Sequence, residues 1–499
     1  MPSTQIPGPA GSRLLGSLPE LRRGALDVFR DAQREHGDVV RFVVGPRRIG
    51  KEMFCVFSAE AAQQILATDV ANFRKDSTFY EEVRQTAGNG LLTSQDEDYK
   101  RQRRLVQPLF TQRRVAEYGA QIVEEAAGVL AGWRKAPDAT VDVVEQMAEL
   151  TLRSTVRILF GADFDVALDT MVRTFGVTSD YVRRRSFALI RTPRGWPTPA
   201  NRRAAAAAAE MYEVCDRIIA ERRRDGVRTH DLLTQLVQAQ NAEDGRLDAT
   251  EVRDQVLVFL LAGAETTGTS LAMALHLMAT HPHVQRKARE EVRRVLGART
   301  PESGDYERLP YLAMIFKEAV RLYPAGAFFT RKAVNAADIG GYTIPAGADV
   351  IGAPWVIHRH PRYWQDPDRF DPERFAPEQE KERHRYAWIP FGGGPRACIG
   401  RHFAMLEAVL ALAMILRDYG LEPVDRDVTV TMGVTLQTEG PVRCRVRPIP
   451  PEQRKQQTQS SNAATPREQR EQPELHEDHE QNPQAVPRPA SGQCPVVHT

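Results

Sequence analysis

The chain has 499 residues, long enough to bury a large core, and 42% of them are apolar, as suits a globular protein. Its 67 Lys and Arg almost cancel 65 Asp and Glu, and the formal charge of +2 excludes a strongly basic nucleic-acid binder. The five cysteines (Cys55, Cys215, Cys398, Cys444 and Cys494) are odd in number, scattered and without a CxxC or Cys/His cluster, which excludes a disulfide scaffold or structural zinc site and favours a reducing cytoplasm.

The N-terminal stretch MPSTQIPGPAGSRLLGSLPELRR has no apolar run of signal-peptide or membrane-anchor length, so a cytoplasmic protein with no anchor is expected. DVVRFVV and MFCVFS then read as paired strands, and AEAAQQIL as a helix. From about residue 110 to Gly340 helical periodicity dominates, broken at Pro193, Pro197, Pro282 and Pro324.

Within that region LDATEVRDQVLVFLLAGAETTGTSLAMALHLMATHP predicts one long helix. Asp248, with Glu251 three residues on, resembles a capping box, and Pro282 marks the end. Its middle, Ala262 to Thr267, is a polar island in an apolar helix, and burying Glu265 and two threonines costs several kcal/mol unless they are hydrogen-bonded. The small residues Ala262, Gly263 and Ala264 would let a flat ligand or small molecule lie against the helix. A threonine hydroxyl would open a local kink there. The alternative is a packing notch with back-bonded threonines.

Next, YERLPYLAMIFKEAVRLYPAG carries Glu318 and Arg321 at i, i+3, a spacing that by itself gives only a solvated helix-face pair. Strand-like GYTIP and ADVIGAP follow. Arg374 then falls in PDRFDPERF, a loop too rich in Pro and Asp to be helical. In FGGGPRACIG four glycines and a proline surround Cys398, and the buried helix after it directs its positive N-terminal end at the sulfur, which favours thiolate. The alternative is a turn with an inert cysteine. VTVTMGVTLQ and PVRCRVRP suggest a closing hairpin. From Pro451 the composition turns to Gln, Glu, Arg, Pro and Ser, which predicts a disordered tail over 451–499 behind one folded domain over 1–450. The expected class is mainly α with small β-sheets built from segments far apart in the chain.

Together these segments resemble the cytochrome P450 family of heme-thiolate monooxygenases. The family's heme loop, Phe-x-x-Gly-x-Arg-x-Cys-x-Gly, is matched by Phe391, Gly394, Arg396, Cys398 and Gly400. Its oxygen-handling helix is matched by Ala262, Gly263, Glu265, Thr266 and Thr267, its Glu-x-x-Arg by Glu318 and Arg321, and its Pro-Glu-Arg-Phe by Pro372 to Phe375. The likeness runs from about Ile6 to Pro450.

The resemblance implies a cytochrome P450 fold with a long central helix over heme b, and Cys398 as the axial ligand of the iron. It implies Thr266 as the hydroxyl that bonds dioxygen or a neighbouring water, and Glu265 as the group that brings protons. Glu318, Arg321 and Arg374 would form a structural triad. Arg103, Arg331 and Arg396 would hold heme propionates, with Phe391 beside them and Tyr99 where the family usually has Trp or His. The glycines of the loop would clear space for a porphyrin face. The implied reaction is hydroxylation or epoxidation of a lipophilic terpenoid, polyketide or fatty acyl chain by a monomer. Its pocket would draw on Phe79 and Tyr80, Val172 to Ile190, Val258 to Ala264, Ala325 to Phe329 and Gly433 to Leu436. Since the chain shows no flavin or iron–sulfur domain, electrons are expected from a ferredoxin or flavodoxin with its reductase, docked on a face carrying Arg101, Arg104, Arg401 and His402. A thiolate-heme peroxygenase or isomerase, or a non-catalytic heme sensor, would share Cys398, but Glu265 and Thr266 speak for the monooxygenase.

Overall fold

Alternating β-branched and aromatic residues make Val39–Val44 and Lys51–Val56 an antiparallel pair, with Val40 opposite Cys55 and Phe42 opposite Met53. In this computed structural model, which describes residues 6–46, 49–186, 192–225 and 231–450, that pair nucleates a five-stranded sheet. Asp349–Gly352 joins parallel to Lys51–Val56, Phe329–Ala333 pairs antiparallel on its far side, and Phe73–Arg74 forms the edge. The sheet therefore joins segments roughly 300 residues apart in the chain. The tail expected over 451–499, and residues 187–190 of the stretch read as pocket-forming, lie outside the described residues.

AEAAQQIL is helical as expected: Ser58 caps Ala59–Gln63, and a wider π turn continues it over Gln64–Thr68. The closing hairpin is a different matter. Val430–Met432 turns back on Leu436–Thr438 within VTVTMGVTLQ itself, whereas Arg443–Pro448 pairs with Tyr419–Pro423 and Thr140–Asp142 in a separate three-stranded sheet. Alternation along Arg443–Pro448 buries Cys444 and Val446 on the helical core, which explains the different partner.

The helical body is organised around Ala249–Thr280. Its start is a true capping box, Asp248 accepting from the Glu251 N–H and the Glu251 carboxylate accepting from the Asp248 N–H, and it runs 32 residues to the Pro282 boundary. By length and apolarity this helix would cross a membrane, but 67% of its most apolar window is buried inside the protein. It packs along Val143–Phe160, and Pro310–Leu322 and Arg401–Asp418 complete the main core. Arg401–Asp418 is buried on all sides from Met405 to Leu416, as its uniformly apolar sequence requires.

Candidate active site

The turn Phe391–Gly400 is held closed by the Cys398 N–H donating to Phe391 O at 2.8 Å. Two of its glycines answer to the protein itself. At Gly394, with φ of +63°, an added Cβ would stand 1.9 Å from the Leu66 carbonyl oxygen, and at Gly393 it would stand 2.5 Å from the Tyr386 ring. The expectation that the glycines clear a flat ligand is thus corrected for these two: they let the turn seat on the Gln64–Thr68 segment and on Tyr386.

A cavity of about 350 Å³ opens between this turn and the central helix. Cys398, Phe391, Arg396 and Ala397 line one wall; Ala262, Gly263, Thr266 and Thr267 line the opposite one. Val258, Phe259, Leu159, Ala325 and Gly326 add apolar surface, so two of the stretches expected to form a pocket do so. Phe79, Tyr80, the described part of Val172 to Ile190 and Gly433 to Leu436 do not line this cavity.

Cys398 borders the cavity and is exposed to it. Burial pushes its thiol upward, against the opposing pull of the Gly400 N–H, Arg103 and Arg401. The Gly400 N–H at the start of the helix thus pulls in the direction expected, toward thiolate, against the cost of burial. A coordinated cation would reverse the balance.

On the opposite wall the helix is continuous, without the anticipated kink. Its polar island is satisfied: the Thr266 hydroxyl donates to Ala262 O at 2.6 Å, Ser270 donates to Thr266 O at 2.8 Å, and Thr151 donates to Ala264 O at 2.7 Å. Thr266 faces the cavity, whereas Glu265 does not line it. The Glu265 carboxylate instead accepts from Ser179 at 3.2 Å, Thr435 at 2.6 Å and Gln437 at 3.4 Å.

Cations gather at one end of the cavity. Arg103 donates to Ala397 O and Gln107; Arg396 donates to Ser94 O at 2.7 Å and stacks on the Tyr99 ring at 3.4 Å. Arg331 is buried beside Tyr80, bonded to its hydroxyl and to Thr330 O, and stands behind the cavity wall. Tyr99 lines the cavity, and its hydroxyl donates to Pro395 O at 2.6 Å. A fourth cation escaped the sequence reading. Lys75 lies buried in the cavity wall, bonded to Leu92 O at 3.0 Å, and burial, then Arg331 and Arg396, push its pKa well down. Nothing in FRKDS marked this lysine as buried. Among the described residues no carboxylate pairs with Lys75, Arg103, Arg331 or Arg396. Buried cations without anions are costly, so the arrangement suits an anionic group entering from the cavity. Together with a cavity-facing sulfur and an apolar gap between two walls, it fits a flat, dianionic, metal-bearing cofactor.

Beneath the site, Glu318 and Arg321 are entirely buried and pair through two bonds of 2.6 and 2.8 Å. Arg321 also donates to the carbonyls of His358, Pro367 and Arg369, and Asp371 N–H donates to Glu318. Arg374, in a single 3₁₀ turn over Pro372–Phe375, lies 3.5 Å from Glu318. The spacing that reads as a surface pair is here a buried clamp on the segment leading to the cysteine turn.

Of the four basic residues expected on one face, Arg101 is bonded to Glu251, and Arg104 to Asp244. Only Arg401, exposed beside Trp388 and Phe391, and the exposed His402 keep their charge or donor capacity outward.

A family model described as Cytochrome P450 matches residues 6–442. A cyclooctat-9-en-7-ol 5-monooxygenase of Streptomyces melanosporofaciens is 34% identical over 85% of this chain and 91% of its own. A pentalenene oxygenase of Streptomyces avermitilis is 32% identical over 88% of this chain and 96% of its own. The crystal structure of the cytochrome P450DA heme domain superposes with a TM-score of 0.82 at 31% identity, covering 90% of this chain and 99% of that one.

Proposed function

The chain belongs to the cytochrome P450 family, and on that premise we propose that Cys398 is the axial thiolate of a heme b lodged between the cysteine turn and the central helix. The protein is a heme-thiolate monooxygenase of a lipophilic small molecule. One observation carries the site assignment: Cys398 and Thr266 line one cavity whose cations, among the described residues, have no carboxylate partner.

Bound there, the heme supplies reduction of dioxygen and insertion of one oxygen atom into substrate. The chain's own residues do the rest. Arg103, Arg396 and Lys75 would hold its propionates, with Arg331 adding positive charge nearby, and the Tyr99 ring orients the Arg396 guanidinium. Phe391, which lines the cavity beside Cys398, would give the cofactor an apolar contact. The Thr266 hydroxyl, resting on Ala262 O, turns into the cavity to hold a proton there, and Glu265 refills it from the solvent side. Val258, Phe259 and Leu159 keep water from the reacting face.

A terpenoid is the substrate we favour, supported by two relatives whose names carry cyclooctat-9-en-7-ol and pentalenene. A ferredoxin or flavodoxin with its reductase supplies electrons to a cytoplasmic monomer, meeting Arg401 and His402.

Thr266→Val tests the distal assignment. Loss of the hydroxyl is expected to lower product formed per electron consumed by roughly a hundredfold, the scale of general acid–base assistance, with heme content unchanged. Product and electron counts that stay in wild-type ratio would refute the role.

Lys75→Met tests the cradle. The apoprotein is expected to melt at the same or a higher temperature, because a buried amine whose charge is opposed by burial and by Arg331 and Arg396 is gone. The holoprotein is expected to lose heme to apomyoglobin roughly tenfold faster, since a charge-assisted bond contributes about 1.5–3 kcal/mol. Unchanged heme loss would remove Lys75 from the cradle.

A further inference from the structure

The proton-side carboxylate is held in an unusual way for a partly buried acid. Glu265 has no cation within ion-pair distance among the described residues, and its three donors are neutral: Ser179 on the helix Phe164–Ser186, and Thr435 and Gln437 on the hairpin over residues 430–438. An arginine in their place could only donate. A hydroxyl both donates and accepts, so Thr435 and Ser179 can bond Glu265 whether that group accepts or donates. Thr435 makes the shortest of these bonds and is only 6% exposed, so water does not readily replace it.

The same hairpin reaches the cavity. The N–H of Leu436, next to Thr435, donates to Ala325 O at 2.8 Å, and Ala325 with Gly326 lines the cavity. The Gly433 N–H donates to Thr435 O at 3.1 Å and stiffens the tip that carries the hydroxyl. A two-residue path therefore joins the cavity wall to the carboxylate.

We infer that Thr435, supported by Ser179 and Gln437, is a positioning residue for proton supply, holding the Glu265 carboxylate turned away from the cavity and tying it through the hairpin to the wall at Ala325. The inference rests on the reading of Glu265 as the group that refills Thr266. It makes proton delivery sensitive to whatever occupies the space against Ala325 and Gly326.

The test uses the full-length heme-loaded protein and needs neither substrate nor redox partner. Reduced enzyme is mixed with oxygenated buffer in H₂O and in D₂O, and reoxidation is followed for wild type, Thr435→Val, Thr435→Ser and Glu265→Gln. Thr435→Val keeps the shape and removes the donor; it is expected to change the reoxidation rate roughly tenfold, the effect of one bond to a charged group, and to alter the isotope ratio. Thr435→Ser is expected to restore wild-type behaviour. In parallel, the infrared carboxylate band that Glu265→Gln removes should be shifted in Thr435→Val and unshifted in Thr435→Ser. If Glu265→Gln changes nothing, the reading of Glu265 itself fails. If Glu265→Gln alters the rate while Thr435→Val matches wild type in rate and band, the positioning role alone is overturned, as it is if Thr435→Ser fails to rescue.

Discussion

Arg321→Ala is expected to yield no folded heme protein. Removing the guanidinium leaves Glu318 as a fully buried carboxylate with its bidentate partner gone, a change that costs about 3–5 kcal/mol. It also strips donors from the carbonyls of His358, Pro367 and Arg369, each worth about 1–3 kcal/mol when left unsatisfied in the interior. The sum rivals the roughly 5–15 kcal/mol that holds a whole domain together. Arg321→Lys keeps the charge but cannot reproduce the planar fork, so it should give a folded protein with a clearly lowered melting temperature. Soluble yield, heme content and thermal melting read both variants. An alanine variant that melts like wild type would show that the clamp does not bear the load assigned to it.

Cys398→Ser is expected to abolish monooxygenation while sparing the fold. The side chain borders open cavity, and the turn is fixed by its backbone N–H, by Gly394 against Leu66 and by Gly393 against Tyr386, none of which involves sulfur. A serine hydroxyl is far less acidic than a thiol and a weak electron donor, so any heme held by the cationic cradle would lack the thiolate that drives dioxygen cleavage. Product analysis with a reconstituted electron donor, beside circular dichroism and heme content, separates the two effects. Turnover retained at wild-type rate would place the chemistry on another residue.

Local signals were legible in the sequence. The capping box at Asp248 and Glu251, the Pro282 boundary and the alternation of Val39–Val44 depend on residues a few positions apart, and the structure has them where expected. What stayed hidden depends on distant partners. Arg101 and Arg104 read as a free basic face until the first turn of the central helix brings Glu251, and the loop before it Asp244, against them. The spacing of Glu318 and Arg321 alone reads as a surface pair, because burial comes from segments some 40 to 50 residues away; it is the resemblance to the family's Glu-x-x-Arg and Pro-Glu-Arg-Phe that leads to the buried triad with Arg374. Lys75 sits in an ordinary polar stretch and becomes a cavity residue only through Leu92 and Tyr80. Thr435 meets Glu265 across 170 positions of chain. The hairpin was mispaired for the same reason: the alternating pattern of Arg443–Pro448 announces a strand but not its neighbour.

Ligation of a heme iron by the Cys398 thiolate is read from the absorption spectrum of the reduced protein under carbon monoxide. The wild-type protein should show the red-shifted Soret band of thiolate ligation, and Cys398→Ser should lose it while keeping bound heme. A heme-loaded wild-type protein without that band, or a Cys398→Ser protein that retains it, would contradict the account.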